Sequence, residues 1–115
     1  MPFTDYDIEC FEKAKSMIDG NTSRHYSIEY IAETIGIGKT KLKIGFKEYF
    51  KMGLFTYLRE KRMLKAAELL MHSNKTIKEI SKATGFKYYS NFLSAFTAYH
   101  GIPPSKYRNV FQQNN

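Results

Sequence analysis

The sequence has a single cysteine, Cys10, in 115 residues. One thiol excludes an intrachain disulfide and a cysteine-based zinc centre, and it suits a reducing compartment. No apolar run approaches the roughly 20 residues needed to span a bilayer, and the N-terminus lacks the basic-then-apolar layout of a signal peptide. A cytoplasmic protein with no membrane partner is expected. The chain also lacks a phosphate-cradling glycine loop, paired carboxylates in an apolar setting, and a nucleophile with an adjacent base. His25, His72 and His100 lie in different segments, with no carboxylate or cysteine at ligand spacing. These absences predict no metal, no cofactor and no enzymatic activity.

Acidic residues become scarce after the first third. Residues 1–38 carry three basic and seven acidic side chains (−4), residues 39–65 nine and two (+7), and residues 66–115 six and two (+4). The positive field is therefore concentrated in one segment, which points to a polyanionic partner. With 43% hydrophobic and 25% charged residues, the chain can build one compact domain or two small lobes sharing a helix.

The stretch 54–72, LFTYLREKRMLKAAELLMH, organises the rest. At about 100° per residue, Phe55, Leu58, Ala66, Leu69 and Leu70 fall on one side of a helix, and Tyr57, Leu64, Ala67 and Met71 on the other. Two apolar stripes need two partners, so this helix is expected to join two packing units. Arg59 and Arg62 interrupt a stripe, which favours snorkelling or ion pairing within the protein.

Before it, periodicity predicts a helix over about 5–19, with Ile8, Phe11, Ala14, the Lys15 stem and Ile18 on its inner face. Ser27 caps a short helix whose inner face is Ile28, Ile31, Ala32 and Ile35; Tyr30 at the fourth place leaves the capping box incomplete. Gly36-Ile37-Gly38 breaks the pattern, and the next helix runs over about 39–51. Its apolar back is Leu42, Phe46, Tyr49 and Phe50; its front is Thr40, Ile44, Lys47 and Lys51, with Lys43 at the flank. Gly45 within it can permit close approach of a helix or of DNA. Two short helices joined by a glycine-containing turn, the second with a basic front, form the pattern of a helix-turn-helix.

After the central helix, Thr76 caps a helix with Ile77, Ile80 and Ala83 inside, and Gly85 ends it. A helix over about 87–100 is expected to bury Phe92, Phe96 and Tyr99 and to stop at Gly101, before Pro103-Pro104. A last helix from Pro104 carries Tyr107 and Val110, and the tail Gln112-Gln113-Asn114-Asn115 is expected to fray. Ser27, Ile28, Ile31 and Gly36 match Thr76, Ile77, Ile80 and Gly85 at an offset of 49; Leu42, Phe46, Tyr49 and Tyr57 match Phe92, Phe96, Tyr99 and Tyr107 at 50. The unit occurs twice, and its offset changes inside the turn, where an insertion costs least.

Arg62-Met63, Ala66-Ala67, Leu69-Leu70, Ile77, Ile80, Gly85-Phe86, Phe92, Phe96, Gly101 and PPSKYR stand in the order and spacing of the AraC/XylS transcriptional regulators, which the chain resembles from Ser27 to Arg108. The first repeat, GIGKTKLKIGFKEYFKMGLFTYLREKRM, most resembles the branch containing siderophore-responsive regulators. The resemblance implies an all-α DNA-binding domain over 1–115 with about seven helices. It would comprise lobe 1 at about 5–52, a linker helix at about 54–72 and lobe 2 at about 75–111. Each lobe would insert one recognition helix into successive major-groove segments, roughly 34 Å apart, so that a monomer reads an asymmetric site. The expected function is sequence-specific duplex DNA binding in the nucleoid and transcription regulation, with RNA polymerase as a further partner. A piece of a longer regulator is favoured over a stand-alone domain. The alternatives are a basic helical protein-interaction module and a non-specific nucleic-acid binder.

In lobe 1 the family's base-reading positions fall on Thr40, Lys43, Ile44 and Lys47, the face that periodicity leaves exposed. The two lysines can donate to guanine, Thr40 can serve either base edge, and Ile44 can meet a thymine methyl. Lys39, Lys41 and Lys51 suit phosphates. The lobe 2 positions are Tyr89, Ser90, Leu93 and Ser94, with Lys87 and Thr97 as phosphate candidates. Relatives commonly carry an arginine near Ser94 and lysines after Phe96, which this chain lacks, so lobe 1 is expected to dominate base reading.

Overall fold

The computed structural model describes residues 2–112. Seven helices form in chain order: α1 (Asp5–Gly20), α2 (Ile28–Ile35), α3 (Lys39–Phe50), α4 (Leu54–His72), α5 (Ile77–Ala83), α6 (Tyr89–His100) and α7 (Pro104–Phe111). Among the described residues there is no strand, and the expected all-α architecture with two helix-turn-helix motifs is the one observed. The chain divides into two units, and the boundary falls inside α4, between Leu58 and Arg59.

The first unit starts with a full capping box. The Thr4 hydroxyl accepts from the Asp7 backbone N–H, and the Asp7 carboxylate accepts from the Thr4 N–H, which satisfies two donors that the first turn would otherwise leave open. Phe11, Ala14 and Ile18 of α1, Ile31 and Ala32 of α2, Leu42 and Phe46 of α3, and Leu54 and Leu58 of α4 make its core. Each such large side chain contributes about 1.5–3 kcal/mol by leaving water. Ile28 and Ile35 are half-buried against this core, and Ile8 is half-buried outside it. Cys10 and Asp7, absent from the expected inner face, are buried as well.

The second unit is built on Met63, Ala66 and Leu70 of α4, Ile80 of α5, and Phe92, Ala95 and Phe96 of α6. Thr76 and Glu79 form a complete capping box on α5. The end of α4 is sealed from a distance. Arg108 Nε donates to the Leu70 carbonyl at 3.1 Å, Nη1 to that of Lys75 at 2.7 Å, and Nη2 to those of Leu69 and Ser73 at 3.4 and 3.1 Å. Gln112 Nε2 adds bonds to the Met71 and Ser73 carbonyls. Gln112 is thus held in place where fraying was expected; the other tail residues, Gln113, Asn114 and Asn115, lie outside the described residues.

The repeat is geometric. Gly36 and Gly85 both have φ +92°, a left-handed turn conformation that a Cβ disfavours, and each follows the short first helix of its motif. Leu42 and Phe46 in α3 and their counterparts Phe92 and Phe96 in α6 are all fully buried. Their partners Tyr49 and Tyr99 depart from expectation in the same way, being 37% and 44% exposed. Both sit in the last turn of their helix, where the ring leans on its neighbours, Phe11 and Phe50 for Tyr49 and His100 for Tyr99, while part of it stays exposed.

Other expectations are corrected. Ala83 is exposed; Thr84 takes the inner place instead, with its hydroxyl donating to the Ile80 and Ser81 carbonyls. Phe55, Leu64 and Val110 are exposed. The two stripes of α4 do not divide by side: Leu54 and Leu58 join the first core, while Met63, Ala66 and Leu70 join the second, so the division is by position along the helix. Helix α6 starts at Tyr89, two residues later than the pattern suggested, and Lys51 is the left-handed cap of α3 instead of its last residue.

Candidate nucleic-acid interface

Gly45 explains how α3 is seated. A Cβ there would collide with the ring of Phe11, so the glycine admits α1 to the back of α3 and does not face outward. With Leu42, Gly45 and Phe46 buried, Thr40, Lys43, Ile44 and Lys47 are turned out together. Ile44 is 54% exposed. It separates two shallow concavities, one of about 680 Å³ lined by Lys43, Lys47, Glu48 and Lys51, the other of about 340 Å³ lined by Phe3, Thr40, Lys41 and Gly45. An exposed isoleucine among lysines gives this face an apolar point within a positively charged surface.

The lysines of this front differ in freedom. Lys41 Nζ lies 3.1 Å from Asp7 Oδ1, and Lys39 Nζ lies 3.3 Å from Glu29 Oε2. The Thr4 backbone N–H, aided by Lys41, holds the Asp7 carboxyl below the usual carboxylate range. Glu29 is lowered by its own backbone N–H and then by Lys39. Two of the three lysines expected to meet phosphates are therefore engaged within the protein. Lys43, Lys47 and Lys51 form no ion pair with a described residue.

On α6, Tyr89, Ser90, Ser94 and Thr97 are exposed. Leu93 is half-buried against the second core, so its side chain is divided between packing and the front. Charge near this face comes from outside the helix: Lys78 Nζ lies 5.9 Å from the Tyr89 ring centroid, and Lys87 Nζ 5.6 Å from that of Tyr88. Tyr88 is 58% exposed, so the aromatic pair at the helix start is not a core element. Of the two arginines of α4, Arg62 lies over the Phe86 ring at 5.7 Å, whereas Arg59 is exposed beside α6. His100 is used in packing, with Nε2 2.9 Å from the Met63 carbonyl, an arrangement that makes Nε2 the donor.

Arg59, expected to snorkel or to pair within the protein, is instead exposed without an ion pair to a described residue, and the roles of Asp7 and Arg108 toward distant partners are not marked by their local sequence. The Thr4-x-x-Asp7 spacing signals a capping box, and Arg108 ends the PPSKYR run, but nothing local marks Lys41 or the end of α4 as their partners.

A helix-turn-helix domain family matches residues 31–109. The crystal structure of a transcriptional regulator from Chromobacterium violaceum, described as AraC-type DNA-binding domain-containing, superposes with a TM-score of 0.81 at 26% identity, over 97% of this chain and 100% of that one. The chain belongs to the AraC-type helix-turn-helix family. Among curated AraC-type relatives, the lactose operon transcription activator of Staphylococcus xylosus is 32% identical over 93% of this chain, which spans 38% of that protein's length. The transcriptional activator AarP of Providencia stuartii is 34% identical over 79% of this chain and 67% of its own. As an AraC-type domain, the chain is a sequence-specific DNA-binding module of transcription regulation, a family of regulators and not of enzymes. No helix among the described residues is long and apolar enough to cross a membrane.

Proposed function

We propose that α3 is the principal base reader and that α6 contributes mainly backbone contacts and shape recognition, the two helices entering successive major-groove segments of one asymmetric site. The contrast between the two fronts supports this: Lys43, Lys47 and the exposed Ile44 on one, uncharged Tyr89, Ser90 and Ser94 on the other. Lys43 and Lys47 donate to guanine O6 and N7, Thr40 meets an adjacent base edge, and Ile44 covers a thymine methyl. Lys51, Lys87 and Thr97 hold phosphates, and Lys39 and Lys41 act there only in exchange for their carboxylate partners.

On this reading, 1–115 is one DNA-binding domain of a longer cytoplasmic regulator. It acts as a monomer on its site and brings RNA polymerase under its control at the promoter.

Selection from a random duplex library with the purified chain should recover an asymmetric motif with two boxes about one helical turn apart. The winner should be preferred over random duplex by roughly 10³ or more. On that site Lys43→Ala should weaken binding by about tenfold or more, and Ser94→Ala by far less. Equal losses would refute the division of labour. Recovery of no motif would leave only a charged patch.

A further inference from the structure

The front of α6 has no cation of its own, yet the second unit has an open cavity of about 440 Å³ beside it, lined by Arg59, Phe86, Asn91, Ser94, Ala95 and Ala98. Ala95 and Ala98 end at Cβ, which leaves the room. Phe86 lines the same cavity and carries the guanidinium of Arg62 over its ring. Arg59 is exposed and makes no hydrogen bond or ion pair with a described residue. A free guanidinium, a serine hydroxyl and an asparagine amide therefore converge on one concavity, all three able to donate.

We propose that this cavity is a phosphate subsite, in which Arg59 takes a DNA backbone phosphate and Ser94 and Asn91 donate to it or to the adjoining base edge. The inference rests on the reading of the chain as a duplex binder, and it deepens that reading by giving the second lobe an anchor that α6 does not encode. Geometry favours a phosphodiester over a base for Arg59: the group lies on α4, to the side of the α6 front, where a strand backbone passes while α6 occupies the groove. A planar fork of donors matches two phosphate oxygens. The arginine missing from α6 is thus supplied by α4, and the charge of the second lobe lies beside its reading helix instead of on it.

The test uses the 115-residue chain with the selected duplex and with random duplex, measuring affinity across a salt series for wild type, Arg59→Ala, Arg59→Lys and, as a control away from the cavity, Lys65→Ala. Arg59→Ala should bind both duplexes about tenfold more weakly, and the slope of log Kobs against log salt should become shallower by about 0.9. Arg59→Lys should keep most of the slope, and Lys65→Ala should keep all of it. Ethylation of a phosphate beside the second box should interfere with wild-type binding and cease to matter for Arg59→Ala. Unchanged helix content and melting temperature are expected, because Arg59 is exposed.

Affinity within about twofold of wild type together with an unchanged slope would overturn the proposal while leaving sequence-specific binding intact. Conversely, a wild type without preference between the duplexes would overturn groove reading, and the slope for random duplex would still decide the role of Arg59.

Discussion

Asp7 has no part in the proposed DNA-facing surface, yet it is tied to it. Its carboxylate caps α1 through Thr4 and holds Lys41 of α3. Because the folded state lowers its pKa, the interaction stabilises the protein fully above the unfolded value of about 3.9 and is lost as pH falls through the lower folded value. Glu79, lowered by the Thr76 backbone N–H, acts in the same direction. Thermal denaturation from pH 7 to about pH 3 should therefore show wild type more stable than Asp7→Asn at neutrality, with the gap closing in acid. A constant gap would mean that the carboxylate charge is not what matters. Lys41 was readable as a surface lysine but not as a tethered one, since its partner is placed by the packing of α1 on α3 and not by spacing along the chain.

Helix α4 shows what an element's pattern can and cannot disclose. Its two apolar stripes announced two packing partners, and two cores are found on it. Which stripe residue went where was not legible, because Phe55 and Leu64 stay about half exposed and join neither core, and Met63, on neither stripe, became a fully buried side chain. The doubled turn was legible since glycine, caps and apolar spacing act locally. Its correspondence extends even to the shared error at Tyr49 and Tyr99. The sealing of α4 was hidden for the opposite reason, as Arg108 reaches carbonyls 33 to 39 residues back. Arg108→Ala strips four carbonyls of a charged donor and should destabilise the protein by about 2 kcal/mol or more in urea denaturation. Faster amide exchange should appear first near Ser73. Arg108→Lys should recover little, because an ammonium cannot hold the same fork; full recovery would reduce the site to simple charge attraction.

For the whole molecule the decisive quantity is the uneven charge, −4 before Lys39 and strongly positive after it. The candidate site was legible in outline, since the outward face of α3 follows from periodicity. It was not legible in detail, because a lysine's availability depends on which carboxylates the fold brings near. With Lys51, Lys87 and Arg59 as the cations proposed to meet phosphates, log Kobs should fall against log salt with a slope of about −2.7. A slope near −1 in the same titration would show that this field does not meet phosphates. Synthesis adds an order in time. The first core closes with Leu58, so its reading helix can be seated while the chain is still growing. The far end of α4 waits for a guanidinium made 38 residues after Leu70, and its last carbonyls stay open to water until that late arrival has left the ribosome.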